Sequence, residues 1–207
     1  MTEDQTTGPT FTRADAETRR LSLIDAAARV LAREGATGAS VRAIAKEASV
    51  SPGLVTHHFG SVDALVAATY AHVDAEVAAA LDAAVAQAGD DPQARLSAYV
   101  GASFSPPIGS RDLLATWIAF WSLVIARPDI AALHDAGYAR FRGTLELLLA
   151  ECGLAAVERR RAAIAISALV DGLWLELCLS PHVLTADEAR EIAEAEVARI
   201  VARESGG

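Results

Sequence analysis

Apolar residues recur every three to four positions through most of the chain, the period of a helix with one buried face. Leu21, Ile24, Ala28 and Leu31 follow that period and predict a helix over about 15–34, ended by Gly35 and Gly38. Ser40 is placed to cap a short helix, VRAIAKEA, with Val41, Ile44 and Ala45 on one face. A tight link follows, and Ser51 and Pro52 open a second short helix, proline standing where a missing N–H costs nothing. Ser61 caps a long helix through Leu65, Tyr70, Val73, Val77 and Leu81 to about Ala88, with Asp63 near its positive end. Gly89-Asp90-Asp91-Pro92 breaks the pattern, and Pro92 starts a helix to about Phe104. SPPIGS reads as a loop, and Ser110 opens a very apolar helix that ends before Pro128. The next runs from Pro128 to about Glu151, with Gly153 as its stop, and a long helix covers about 155–180. Thr185 with Glu188 three residues on forms a capping box for the last helix. Strand-like alternation is nearly absent, so the expected fold is all-α with about nine helices.

The 207 residues suffice for one or two helical domains, and 52% hydrophobic with 22% charged residues excludes a disordered chain. Residues 1–14 read as a disordered polar arm without the apolar core of a signal peptide. The longest apolar stretch, Leu113 to Ala126, falls short of the roughly 20 residues a bilayer span needs. Cys152 and Cys178 have no metal-ligand spacing, and a reduced cytoplasmic protein is expected. The net charge of −9 is unevenly placed: residues 1–60 carry equal numbers of acids and bases, and the whole excess lies beyond them. An acidic chain does not coat nucleic acid, but a neutral N-terminal segment allows a small, directed DNA contact.

The stretch 40–59, SVRAIAKEASVSPGLVTHHF, carries the most specific pattern. Two short helices are joined by a tight turn, with Val41, Ile44, Ala45, Val50, Leu54 and Val55 placed to pack together. That is helix-turn-helix spacing, in which the second helix enters a DNA major groove. Facing outward on that helix are Ser51, Pro52, Gly53, Thr56, His57 and His58, with Arg42 on the helix before it. Hydroxyls and imidazoles bond phosphates or base edges, and Gly53 lets either approach the backbone. His58 reads either as a base contact or as a side chain packed on the head.

Residues 17 to about 77 resemble the DNA-binding domain of the TetR family of bacterial repressors. The resemblance rests on IDAAARVLAREGATGASV, the IA of RAIAKEASVS and the run GLVTHHFGSVDAL. It implies a three-helix head, a linking fourth helix and a larger effector-binding and dimerisation body. The domains are accordingly expected at 15–77 and 78–207. Two positions depart from the family: Thr56 stands where Tyr is frequent and Val62 where Lys is frequent. Both commonly contact phosphate in the family, so Arg42, with Arg19 and Arg20, is expected to carry more of that contact.

In the body, TWIAFWSLVI (116–125) and ALVDGLWLELCL (168–179) resemble the BetI-type branch, whose named member responds to choline. Trp117 and Trp121 share a helix face, Phe120 flanks Trp117, and Trp174 stands three residues after Asp171 on another helix. If those helices face one another, indoles and a carboxylate converge into a cage for a quaternary or protonated amine. The alternative is an ordinary aromatic core. Tyr99, Phe104 and Tyr138 are weaker pocket candidates. Ile166, Leu173 and Leu177, with Ile192 and Ala195 of the last helix, are expected at a homodimer interface. No catalytic constellation, metal-ligand cluster or cofactor motif occurs in the sequence, so an enzyme is not expected. The expectation is a ligand-responsive, homodimeric repressor of operator DNA. The alternative is a helical binding module with weak or no DNA binding.

Overall fold

The computed structural model describes residues 13–205, and the arm expected at 1–14 lies outside them but for its last two residues. Among the described residues the chain is all-α, with nine helices and no strand. The three N-terminal helices are α1 (Arg13–Gly38), α2 (Val41–Glu47) and α3 (Pro52–Phe59). The remainder are α4 (Val62–Gln87), α5 (Pro92–Ala102), α6 (Arg111–Val124), α7 (Pro128–Glu151), α8 (Ala156–Leu179) and α9 (Ala186–Ser205).

Local chemistry sets most of these boundaries. The side chains of Ser40, Ser61, Asp91 and Ser110 each accept from a backbone N–H in the first turn of the helix they precede. Thr185 and Glu188 form a reciprocal capping box: Glu188 N–H donates to Thr185 Oγ1 (3.2 Å), and Thr185 N–H to Glu188 Oε2 (2.9 Å). At Gly35 the expected stop is instead a kink. Its backbone turns left-handed (φ 69°) and a further helical turn follows to Gly38.

Two hydrophobic cores result. The smaller joins Leu23, Ile24, Ala27 and Val30 of α1 to Ile44, Ala45, Val55 and Leu65, which holds α2 and α3 in the helix-turn-helix arrangement. The turn between α2 and α3 places Ser49 at φ 56°, the left-handed region a non-glycine residue seldom occupies. The larger core fills the space between α4–α9 and takes Leu31 from α1. Val62 packs against both cores and serves as an apolar joint between them. By length and composition α4 and α8 are apolar enough to cross a membrane; in this fold each buries a face in the cores.

Candidate functional site

The first candidate surface is the outer face of α3. Val55 is fully buried and Leu54 half-buried, which fixes the helix rotation and turns Ser51, Pro52, Gly53, Thr56 and His57 to solvent. Ser51 stands at the N-cap without making a side-chain cap bond, which leaves its hydroxyl for an outside partner. A Cβ at Gly53 would meet only Ser51 Oγ, at 3.9 Å, so the helix opening is sterically clear. His58 is half-buried and meets His57 edge-on, ring centroids 5.4 Å apart. Of the basic residues nearby, Arg29 and Arg33 are both spent on Glu47 (2.7 and 3.0 Å), and Arg20 lies over the Phe59 ring. Arg42 and Lys46 stand exposed on α2, and Lys46, one turn after Arg42, was not among the expected contacts.

The second candidate is a partly open cavity of about 60 Å³ between α4, α6, α7 and α8, with Ser103, just past the end of α5, on its wall. That volume holds a few waters, each needing roughly 10–15 Å³ on this measure, or a compact alkyl head. All three tryptophans of the chain, Trp117, Trp121 and Trp174, line it. Trp174 faces both of the others, at 6.3 and 6.5 Å between centroids. Its Nε1–H donates to the Ser103 carbonyl (2.9 Å), which fixes the ring, while the Nε1 atoms of Trp117 and Trp121 are buried without a partner. Tyr70 closes one end, perpendicular to Trp117 at 5.2 Å.

Two carboxylates reach the same cavity, and no basic residue lines it. Asp171 accepts from the Tyr138 hydroxyl at 2.8 Å. Burial pushes its pKa up against the opposing effect of that hydrogen bond, so its charge is held at a cost. Burial and the neighbouring Asp171 raise the Tyr138 phenol, keeping it a donor at neutral pH. Asp74, on α4, was not foreseen from the sequence; it bonds Arg140 on α7 at 2.6 Å. An acid one turn after Tyr70 within an apolar helix face was the available signal. Such a group, aromatic on several sides and negative, attracts a cation by ring quadrupole and charge together.

Some expected site residues sit elsewhere. Phe120 is fully buried and does not line the cavity; it packs behind the wall against Tyr70 and Trp117. Among the weaker candidates, Tyr138 lines the cavity, whereas Tyr99 and Phe104 are core. Ile166 (0% exposed) and Leu173 (8%) are buried in the chain's own core, and Leu177 packs against it. The exposed apolar stripe of α8 runs instead through Ile164, Ala168, Leu175 and Leu179, and Ile192 and Ala195 are exposed on α9.

The cavity and the head are joined by α6. Thr116 Oγ1 lies 3.3 Å from the Ala28 carbonyl of α1, next to Trp117 on the cavity wall. Beyond the end of α6, Arg127 donates to Asp63 Oδ1 (2.9 Å) and to the Asp63 carbonyl (3.1 Å) in the first turn of α4.

Residues 23–69 match the family model for bacterial regulatory proteins of the tetR family, and residues 92–202 the model for the BetI-type transcriptional repressor C-terminal domain. The HTH-type transcriptional regulator BetI of Burkholderia mallei (strain NCTC 10229) is 35% identical over 90% of this chain and 95% of its own length. That of Burkholderia thailandensis is 36% identical, over 86% of this chain and 90% of its own. Among solved structures, a transcriptional regulator from Pseudomonas aeruginosa PAO1 superposes with a TM-score of 0.82 at 40% identity, covering 96% of this chain and 97% of that one. A regulator from Saccharomonospora viridis, solved in complex with choline, shares the fold at TM-score 0.74 and 22% identity, covering 88% and 96%.

Proposed function

The chain belongs to the TetR family of bacterial regulatory proteins, in its BetI-type branch, and from that premise we propose a homodimeric repressor released from its operator by a quaternary or protonated amine. It is a DNA-binding transcriptional regulator rather than an enzyme. The finer reading rests on one observation above all: three indoles and the Asp171 carboxylate meet at one cavity with no basic residue on its walls. The choline held by the Saccharomonospora viridis neighbour is consistent with that chemistry.

On this reading Ser51, Pro52, Gly53, Thr56 and His57 face the major groove, Arg42 takes a phosphate, and His58 supports His57. Two heads reach successive grooves about 34–36 Å apart, paired through the exposed stripe of α8 and the Ile192–Ala195 face of α9. A cation among the tryptophans presses on α6. That helix grips α1 through Thr116, and the segment after it grips α4 through Arg127. Re-spacing of the heads follows. Coupling of this kind is about 1–3 kcal/mol and reciprocal, so operator DNA weakens the ligand by the same factor that the ligand weakens DNA.

Fluorescence anisotropy with the upstream region of the protein's own gene, at two salt concentrations, tests the DNA half of the proposal. Binding that weakens steeply with salt supports it. A flat response, or none, moves the protein to a helical binding module, the reading that the apolar Val62 favours.

A further inference from the structure

The cavity holds more negative charge than one cation needs. Asp171 reaches it from α8 and Asp74 from α4. The Asp74 carboxylate lies close against α7: a Cβ at Gly137 would meet its Oδ1 at 2.7 Å, so the glycine leaves the acid room to lie where it does. Its side chain is only 22% exposed, and its counter-charge comes from outside the walls. Arg140 reaches it at 2.6 Å with a side chain that is 48% exposed and does not line the cavity. A guanidinium so placed returns to water with little desolvation cost, because it is already half hydrated.

We propose that Asp74 is a second anchor for the cationic ligand, held by Arg140 until the ligand takes Arg140's place. The inference rests on the reading of the cavity as an amine site and adds to it a competition. The incoming cation gains Asp74 only as Arg140 lets go. Because Asp74 lies on α4 and Arg140 on α7, that exchange also unfastens the helix leading into the head from the helix behind it. Arg140 thereby sets the ligand threshold.

The competition makes the effect of Arg140→Gln depend on Asp74. Loss of a positive charge favours a nearby cation by long-range attraction in any case, so a change in ligand affinity speaks for the place-holder only where the gain disappears once Asp74 is also replaced. Removing a place-holder would strengthen ligand affinity by roughly three- to fivefold for a pair as exposed as this one. Tetramethylammonium and choline are titrated at constant ionic strength into wild type, Arg140→Gln, Asp74→Asn and the double variant. A gain from Arg140→Gln that persists beside Asp74→Asn overturns the place-holder. Tryptophan emission is the readout, since every tryptophan in the chain lines the cavity. Thermal melts establish that each variant is folded. Tighter binding to Arg140→Gln and weaker binding to Asp74→Asn are expected. Wild type that binds either cation while Arg140→Gln binds no tighter overturns the place-holder and leaves the amine site standing. Wild type blind to both cations overturns the amine reading and this inference with it.

Discussion

Asp171→Asn separates the contribution of one carboxylate to ligand binding from its contribution to the fold. The amide is nearly isosteric, and its oxygen still accepts from Tyr138, so the cavity keeps its shape and loses a charge. Methyl groups keep a quaternary nitrogen about 4.5 Å from a carboxylate oxygen, where an effective dielectric of about 20 gives about 3.7 kcal/mol. Screening through the cavity mouth reduces this by about half, to about 2 kcal/mol, or roughly a 30-fold weaker Kd. The stability effect has the opposite sign. Burial raises the Asp171 pKa above its unfolded value, so ionisation in the folded state is disfavoured. That penalty is absent below the unfolded pKa, grows as pH rises from there to the folded pKa, and is still present at neutral pH. Removing the charge therefore raises the melting temperature at pH 7 and leaves it nearly unchanged at low pH. Tryptophan fluorescence titrated with tetramethylammonium, and melts at pH 7 and pH 3, measure the two effects. Wild-type affinity in the variant would refute the carboxylate anchor. A lower melting temperature at pH 7 would refute the burial argument.

Three further outcomes are expected. Thr56→Ala and His57→Ala each weaken operator binding by about 1–3 kcal/mol in anisotropy titrations without lowering the melting temperature, because both side chains are exposed; unchanged affinity removes that residue from the DNA surface. Leu175→Asp, in the middle of the exposed α8 stripe, turns a dimer into monomers in sedimentation velocity with helicity retained, whereas an unchanged species places the interface elsewhere. Arg127→Gln keeps ligand affinity and lowers the ligand's effect on operator affinity by roughly threefold, the scale of a partly exposed ion pair; undiminished coupling would mean that the signal bypasses the Asp63 contact.

What could be read from the sequence was local. Serines before apolar runs, Pro52 and Pro92 at first helical positions, and the Thr185–Glu188 box mark helix ends through chemistry confined to a few residues. Phase around a helix proved harder on α8, which is apolar on two faces. Ile164 and Ile166 have the same composition and near-identical spacing to their neighbours, yet one is exposed and the other fully buried. The positions of α6, α7 and α9 decide which face is spent. Phe120 and Trp121 are adjacent on α6, and a 100° turn sends one into the core and the other to the cavity wall. Asp74 and Arg140 lie 66 residues apart, and nothing in either segment names the other. Local pattern thus marks helices and caps, while facing and long-range pairing follow from how the helices stack.

The central claim is that a cation in the cavity loosens the head from DNA. Its most direct test is anisotropy of the labelled upstream fragment bound by the full chain, titrated with choline or glycine betaine at fixed ionic strength. A saturable fall in operator affinity of about 5- to 150-fold is predicted, with the ligand weakened by the same factor when DNA is bound. Salt-dependent binding that neither compound alters would keep the DNA-binding head and contradict the amine-released repressor.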